Sequence, residues 1–299
     1  MKYYFKAFGL NIQSEFPFQG IEIPEKGFFD IDVIEGKTPS NLSKSIHHGL
    51  SYESNDNEFL LKVPNVATFL IQDGNKVTIN RDTEAENREL ELFFLGSAMA
   101  VILMQRGIIS FHGSAFEKDG KCIIISGLSG GGKSTLLRYF INQGYKALTD
   151  DVCALSIKDN KVTLTPSYPS SKIWADVMNK YNLTKDKSNQ VRPEIEKYKQ
   201  SFKNEFCNQE REIKSIYILK TQNSEDFSTN EIIGFEKFKQ LKANLYRPKF
   251  PEATGKEKET FIILNKLANQ AKLHFLTRST SIDLLEEFNE YAKSVITGE

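Results

Sequence analysis

The sequence predicts an α/β protein of 299 residues with a β-rich N-terminal region over residues 1–85 and a core over residues 86–299 that turns more helical toward its end. Three observations predict it. Short apolar runs separated by turn residues fill the first 85 positions. A strand-like run, a glycine loop and a helix-compatible run follow one another at residues 122–141. Helical spacing dominates beyond residue 235.

In the N-terminal region, residues 3–12 are aromatic and apolar, and residues 58–63, 67–71 and 76–79 read as short strands. Asp73-Gly74-Asn75 supplies a hairpin turn between the last two. Residues 36–57 are polar and read as loop. From Glu84 the pattern becomes helical. Glu84, Glu86, Glu89 and Glu91 give an acidic start, residues 93–104 are apolar except for Gly96 and Ser97, and Arg106-Gly107 is a stop. The apolar run is too short to span a bilayer and reads as a buried helix.

Residues 108–111 and 114–117 resume β character. Residues 122–126 form a β-branched run that reads as a buried strand. Residues 135–141 place Leu136, Leu137 and Phe140 on one helical face. Residues 145–150 and 152–157 are strands, 158–161 a polar turn, and 162–164 the return strand. Residues 172–181 and 194–206 read as helices joined by a polar linker over 184–190. A strand follows at 213–219, then helices at 235–246, 257–271 and 282–296, with a strand at 272–276 between the last two.

Lys plus Arg and Asp plus Glu both number 39, so the formal net charge is zero. That balance argues against broad nucleic-acid or membrane binding. The three cysteines, Cys122, Cys153 and Cys207, are odd in number and show neither metal-ligand spacing nor a disulfide framework. Such usage points to a reducing compartment, and the first ten residues carry no secretory signal, so a cytoplasmic location is expected.

The glycine loop carries the chemistry. Gly127 is followed after four residues by Gly132-Lys133-Ser134, the phosphate-binding loop pattern, between a strand and a helix as that pattern requires. Gly127, Gly130, Gly131 and Gly132 let the backbone turn its N–H groups inward at an anion. The helix that opens after them turns its positive end toward the same anion. Lys133 can reach the outer phosphates of ATP, and the Ser134 hydroxyl can hold Mg2+. Asp150-Asp151 closes a short strand 23 and 24 positions beyond Gly127. A magnesium nucleotide needs a hard oxygen ligand at such a place, and phosphoryl transfer needs a carboxylate to receive the acceptor's proton.

Further candidates are weaker. His112 precedes the loop, where a lone histidine is more often structural. Lys172 and Trp174 could form a substrate or nucleotide wall, and core packing explains Trp174 equally well. Arg247 stands in a loop from which it could reach phosphate, against the default of a surface arginine.

HGSAF at 112–116, GLSGGGKST at 127–135 and GYKALTDDV at 144–152 together resemble the HPr kinase/phosphorylase family. LFFLGSAMAVILMQRGII before the first of these, PSYPSSKIW after the last and FGLNIQSE near the N-terminus resemble a broader branch of HPr-kinase-like proteins. Some members of that branch phosphorylate a serine of a peptide precursor, as in modified lasso peptides. The resemblance is strong over residues 88–176 and weak beyond 180.

It implies a phosphate-loop kinase core of the HPr-kinase/phosphoenolpyruvate-carboxykinase type, in which Gly127 to Thr135, with Leu128, Ser129 and Thr135 among them, bind the nucleotide phosphates. It further implies that Ser134 and Asp151 hold magnesium, that Asp150 is the base, and that His112 assists near the transferred group. EIKSIYI at 212–218 resembles the family's EIRGLGI signature and would add Glu212 to the metal site. Ser215 and Tyr217 replace that signature's glycines. The expected function is ATP-dependent phosphorylation of a serine in a peptide or small protein. A small-molecule kinase and a non-catalytic ATP sensor are the alternatives, and a homo-oligomer is possible because HPr kinase is hexameric as a family trait.

Overall fold

A buried helix lies between two sheets. The computed structural model describes every residue except 26, 182, 187, 188, 193, 194, 282 and 299, and all described side chains except those of 176 and 180. The first sheet holds β1 (Tyr3–Ala7), β2 (Leu10–Ser14), β3 (Ile21–Glu22), β4 (Ile31–Glu35), β5 (His47–Gly49), β6 (Tyr52–Ser54), β7 (Glu58–Val63), β8 (Ala67–Gln72) and β9 (Lys76–Arg81). Its order is β3-β1-β2-β4-β9-β8-β7-β6-β5. The apolar run at 3–12 folds into the β1–β2 hairpin, with Phe8 and Gly9 at its turn both at positive φ, 52° and 75°. The stretch read as loop contributes β5 and β6, which are too short and polar to announce themselves.

The helix comprises α1 (Asn87–Phe93), a π-helical turn (Phe94–Ala98) and α2 (Met99–Gln105). Glu86 and Glu89 form a reciprocal capping box at its start. Everything from Phe94 to Met104 is buried, which an all-round apolar helix demands. It packs on Phe59, Phe69 and Ile79 of the first sheet, and the same core takes in Val152, Ala154 and Phe250 from the later half.

The remaining elements are β10 (Ile109–Lys118), β11 (Lys121–Gly127), α3 (Lys133–Asn142), β12 (Lys146–Thr149), β13 (Val152–Lys158), β14 (Lys161–Thr165), β15 (Ser170–Trp174), α4 (Ala175–Lys180), β16 (Gln190–Arg192), β17 (Ile195–Ser201), β18 (Arg211–Gln222), β19 (Ser228–Ile232), α5 (Phe235–Ala243), α6 (Phe250–Ala253), α7 (Glu257–Gln270), β20 (Lys272–Ser279) and α8 (Leu285–Thr297). The second sheet runs β11-β10-β13-β14-β18-β20-β19, and a further β11–β18 pairing closes five of its strands into a ring. β18 lies parallel to both β11 and β20. Strand alternation divides the core. Cys122 and Ile124 face the side covered by Leu241, Ile263 and Leu267, while Ile123 and Ile125 face Leu137, Phe140 and Phe288.

Three expectations are corrected. Residues 108–111 and 114–117 are one continuous strand. The segment read as a helix over 172–181 begins as β15 and becomes helical only at Ala175. The helix read over 194–206 is strand β17 followed by a single 3-10 turn, with residue 194 outside the described set. β17 pairs with β15 and β16 in a third small sheet. Its lysines favour a helix locally, and pairing on both sides overrides that weak preference. The expected linker over 184–190 includes residues 187 and 188, outside the described set. The last helix begins at Leu285, and residue 282 lies outside the described set as well. Among the described residues no helix is long and apolar enough to cross a membrane.

Candidate active site

β11 runs between β10 and β18 and ends at Gly127, whose φ is 127°. A Cβ there would lie 2.7 Å from the Leu219 carbonyl oxygen, so only glycine fits this close approach to β18. The loop closes at Gly132, which caps α3 with φ 103°. The first intrahelical bond is Leu136 N–H to the Gly132 carbonyl at 2.9 Å. The N–H groups before it have no helical partner and point out of the helix start. Lys133 is buried and donates from Nζ to the carbonyls of Gly127 and Leu128, each at 2.9 Å. Arg278, at the end of β20, donates from Nε to the Gly131 carbonyl at 3.1 Å.

The acidic pair sits where β12 breaks from β13. Asp151 has φ 83°, a left-handed conformation that costs a non-glycine residue about 1–3 kcal/mol. This bend lets both carboxylates line one cleft, whereas neighbours on a regular strand point to opposite faces. Asp150 is buried. Its Oδ1 accepts from Ser114 Oγ at 2.5 Å and from Ser134 Oγ at 3.0 Å, and its Oδ2 from the Lys172 N–H at 3.3 Å. Asp151 Oδ2 accepts from Lys172 Nζ at 3.2 Å, and its Oδ1 lies 3.5 Å from His112 Nδ1. The resemblance pairs Ser134 with Asp151. The structure pairs Ser134 with Asp150.

Burial opposes the charge on Asp151, but the Lys172 ammonium and His112 outweigh it and hold the carboxyl below its ordinary range. Burial opposes the charge on Lys172 too, and Asp151 outweighs it, so the ammonium is held well above its ordinary value. Lys133 is pushed down, chiefly by burial. Burial and the nearby Lys133 charge likewise push His112 down. Its Nδ1 lies 3.1 Å from the Asp151 carbonyl oxygen, which can only accept, so Nδ1 carries the proton and Nε2 keeps the lone pair.

A group lowered in this way favours folding fully above its unfolded value, about 6.5. The contribution fades as pH falls through the lower folded value. The expected result is an NMR titration midpoint for His112 below 6.5, assigned by loss of the signal in His112→Asn. A midpoint above that value would remove the burial argument.

The structure brings Gly127, Gly130, Gly132, Lys133, Ser134, Asp150, Asp151, His112, Lys172 and Trp174 to one region at the carboxyl ends of the parallel strands β11, β18 and β20. Leu128 is exposed at the loop tip, and Ser129 and Thr135 line the cleft. Trp174 is half-exposed on its lip, with Lys197 Nζ 5.5 Å from its ring centroid. Sequence reasoning missed Arg278 and Lys197. An arginine just past the strand expected at 272–276 was the available signal for the first. Lys197 lay in a segment read as helix and gave none.

Two candidates lie elsewhere. Glu212 is in register with the start of β11, since Cys122 faces Ile213 and Gly127 faces Leu219. At ~3.3 Å per residue that puts it about 20 Å from the loop. It is bound by Lys121 at 2.5 Å and Lys161 at 3.3 Å. Glu212→Gln is therefore expected to leave Mg-ATP affinity unchanged, which calorimetric titration checks. Arg247 donates to Ser97 Oγ at 2.9 Å and lines a different cleft.

No family model matches this chain, and no curated protein matches it. Among solved structures, the HPr(Ser) kinase/phosphatase from Coxiella burnetii aligns with TM-score 0.32 and 13% identity, over 64% of this chain and 99% of that chain. The chain thus bears a distant structural likeness to that kinase/phosphatase, and at this score and identity the likeness carries no argument about its chemistry.

Proposed function

We propose that the chain is an ATP-dependent phosphotransferase acting on a serine hydroxyl of a peptide or small protein. One observation carries this reading: the glycine loop with Lys133, the Ser134–Asp150 pair and the Asp151–Lys172–His112 cluster all line one cleft of about 270 Å3. Loop N–H groups and the start of α3 receive the phosphates. Lys133 exchanges the loop carbonyls for the outer phosphates. Arg278 adds positive charge beside the loop.

The residues fit magnesium. Ser134 Oγ and Asp150 Oδ1 offer hard oxygens 3.0 Å apart, and a nucleotide-bound Mg2+ needs no more from protein than one or two such ligands. When bound, the ion neutralises charge on the transferring phosphoryl group. Asp151, set toward the cleft by its backbone bend, accepts the serine proton as the new O–P bond forms and the bond to ADP breaks. Lys172 holds that carboxylate ionised and in place. His112 fixes the bend through the Asp151 carbonyl.

The test is intact-mass spectrometry of serine-containing peptides, with HPr as control, after incubation with the protein and Mg-ATP. A gain of one phosphate on a peptide, lost in Lys133→Ala, is the expected result. Phosphate gained only by a metabolite, or ATP bound with no product, would replace this reading by the small-molecule kinase or the sensor.

A further inference from the structure

We propose that a second cleft, bounded by β5–β7, α1 and the 246–250 loop, docks a peptide segment in which carboxylates flank an apolar side chain. The proposal rests on the phosphotransferase reading, for which it supplies the acceptor's anchor. The cleft measures about 590 Å3, a volume suited to one or two large side chains. Its floor is apolar. Tyr52 stacks on Phe59 at 4.9 Å and meets Phe250 edge-on at 5.8 Å, and Val63 and Phe93 complete the surface.

Lys62, Arg192, Arg247 and Lys249 line the cleft, and no carboxylate does among the described residues. Lys62 and Arg192 are engaged by Glu53 and Glu89, at 2.6 and 3.5 Å. Arg247 and Lys249 are both exposed, and no ion pair to a described carboxylate engages either. Charge complementarity therefore selects an acidic partner, and the concave apolar floor selects a side chain over a flat lipid surface.

The cleft adjoins the acidic pair through consecutive residues. Tyr246 has its ring 5.8 Å from the His112 ring, and its N–H is bound to the Ser110 carbonyl at 2.9 Å. Arg247 then takes φ 56°, a left-handed bend, and its side chain lines the second cleft. The π-helical turn presents Ser97 to hold that guanidinium. π turns inside helices recur at functional sites. An acceptor anchored at Arg247 thus lies one residue from the wall of the catalytic cleft.

The probes are three fluorescein-labelled dodecapeptides: one of Asp, Glu and Leu, one of Lys and Leu, and one of Asp, Glu and Gly. Anisotropy is read with the full chain, with Arg247→Glu, and with Lys249→Glu, whose exposed site leaves folding intact. The first peptide is expected to bind, to lose about tenfold in affinity on either reversal, and to exceed the other two by a similar factor. ATP affinity stays unchanged in both variants.

Equal binding by the Lys–Leu peptide, or indifference to both reversals, would overturn the proposal. So would a concentration-dependent dimer dissolved by either reversal, which would make a second copy the occupant. If the unmodified chain holds the first peptide but binds no Mg-ATP, the docking cleft stands and the phosphotransferase reading falls.

Discussion

Gly127→Ala is expected to destabilise the chain by about 2–6 kcal/mol and to abolish tight ATP binding. Two costs add. A φ of 127° is closed to an L side chain, worth roughly 1–3 kcal/mol. The added methyl would also stand 2.7 Å from the Leu219 carbonyl oxygen, and such overpacking costs roughly 1–3 kcal/mol more. Leu219 cannot yield cheaply, because β18 is fixed between β11 and β20. At about 2–4 °C per kcal/mol, thermal unfolding should move down by roughly 4–24 °C. Gly130→Ala is the control. Its φ is 79°, but a Cβ there meets nothing within 4 Å, so only the conformational cost of about 1–2 kcal/mol applies. Equal shifts for the two variants would show that the contact with β18 does not limit the loop.

The strand–loop–helix unit was legible because it is local: glycine positions, a β-branched run and an apolar helix face lie within twenty consecutive residues. The acidic pair was legible for the same reason. What was not legible depends on pairing between distant segments. β17 looks helical until β15 and β16 flank it. Glu212 looked like a ligand from a short motif, and the parallel register of β18 on β11 carries it to the opposite end of the strand. Arg247 lines a separate cleft, and its own left-handed φ of 56° is one that no composition rule assigns to arginine. Arg278 reaches the loop only because β20 lies beside β18.

The sharpest division of labour concerns the two aspartates. Asp150 is buried, and its Oδ1 accepts from two serine hydroxyls, one of them on the loop helix. In Asp150→Asn the charge opposite Ser134 disappears, and the amide must present a donor either to those hydroxyls or to the Lys172 N–H. The proposed magnesium site loses a hard oxygen ligand. We expect Mg-ATP affinity to fall by about tenfold or more, with transfer falling as a consequence.

Asp151 stands at the bend, toward Lys172 and His112. Because its carboxyl is held below the ordinary range, it stays ionised at neutral pH. It stabilises the fold above the unfolded carboxylate value, and that contribution is lost as pH falls through the lowered one. Asp151→Asn removes the proposed proton acceptor and leaves the proposed phosphate ligands in place. Turnover is then expected to fall about 10²–10⁴-fold, with Mg-ATP affinity held within about twofold. Calorimetry for binding and single-turnover mass spectrometry for transfer separate the two effects. The opposite pattern, binding lost with Asp151 and turnover alone lost with Asp150, would return the roles to those the family resemblance implies. The Ser134–Asp150 hydrogen bond would then be a rest position that the bound nucleotide replaces.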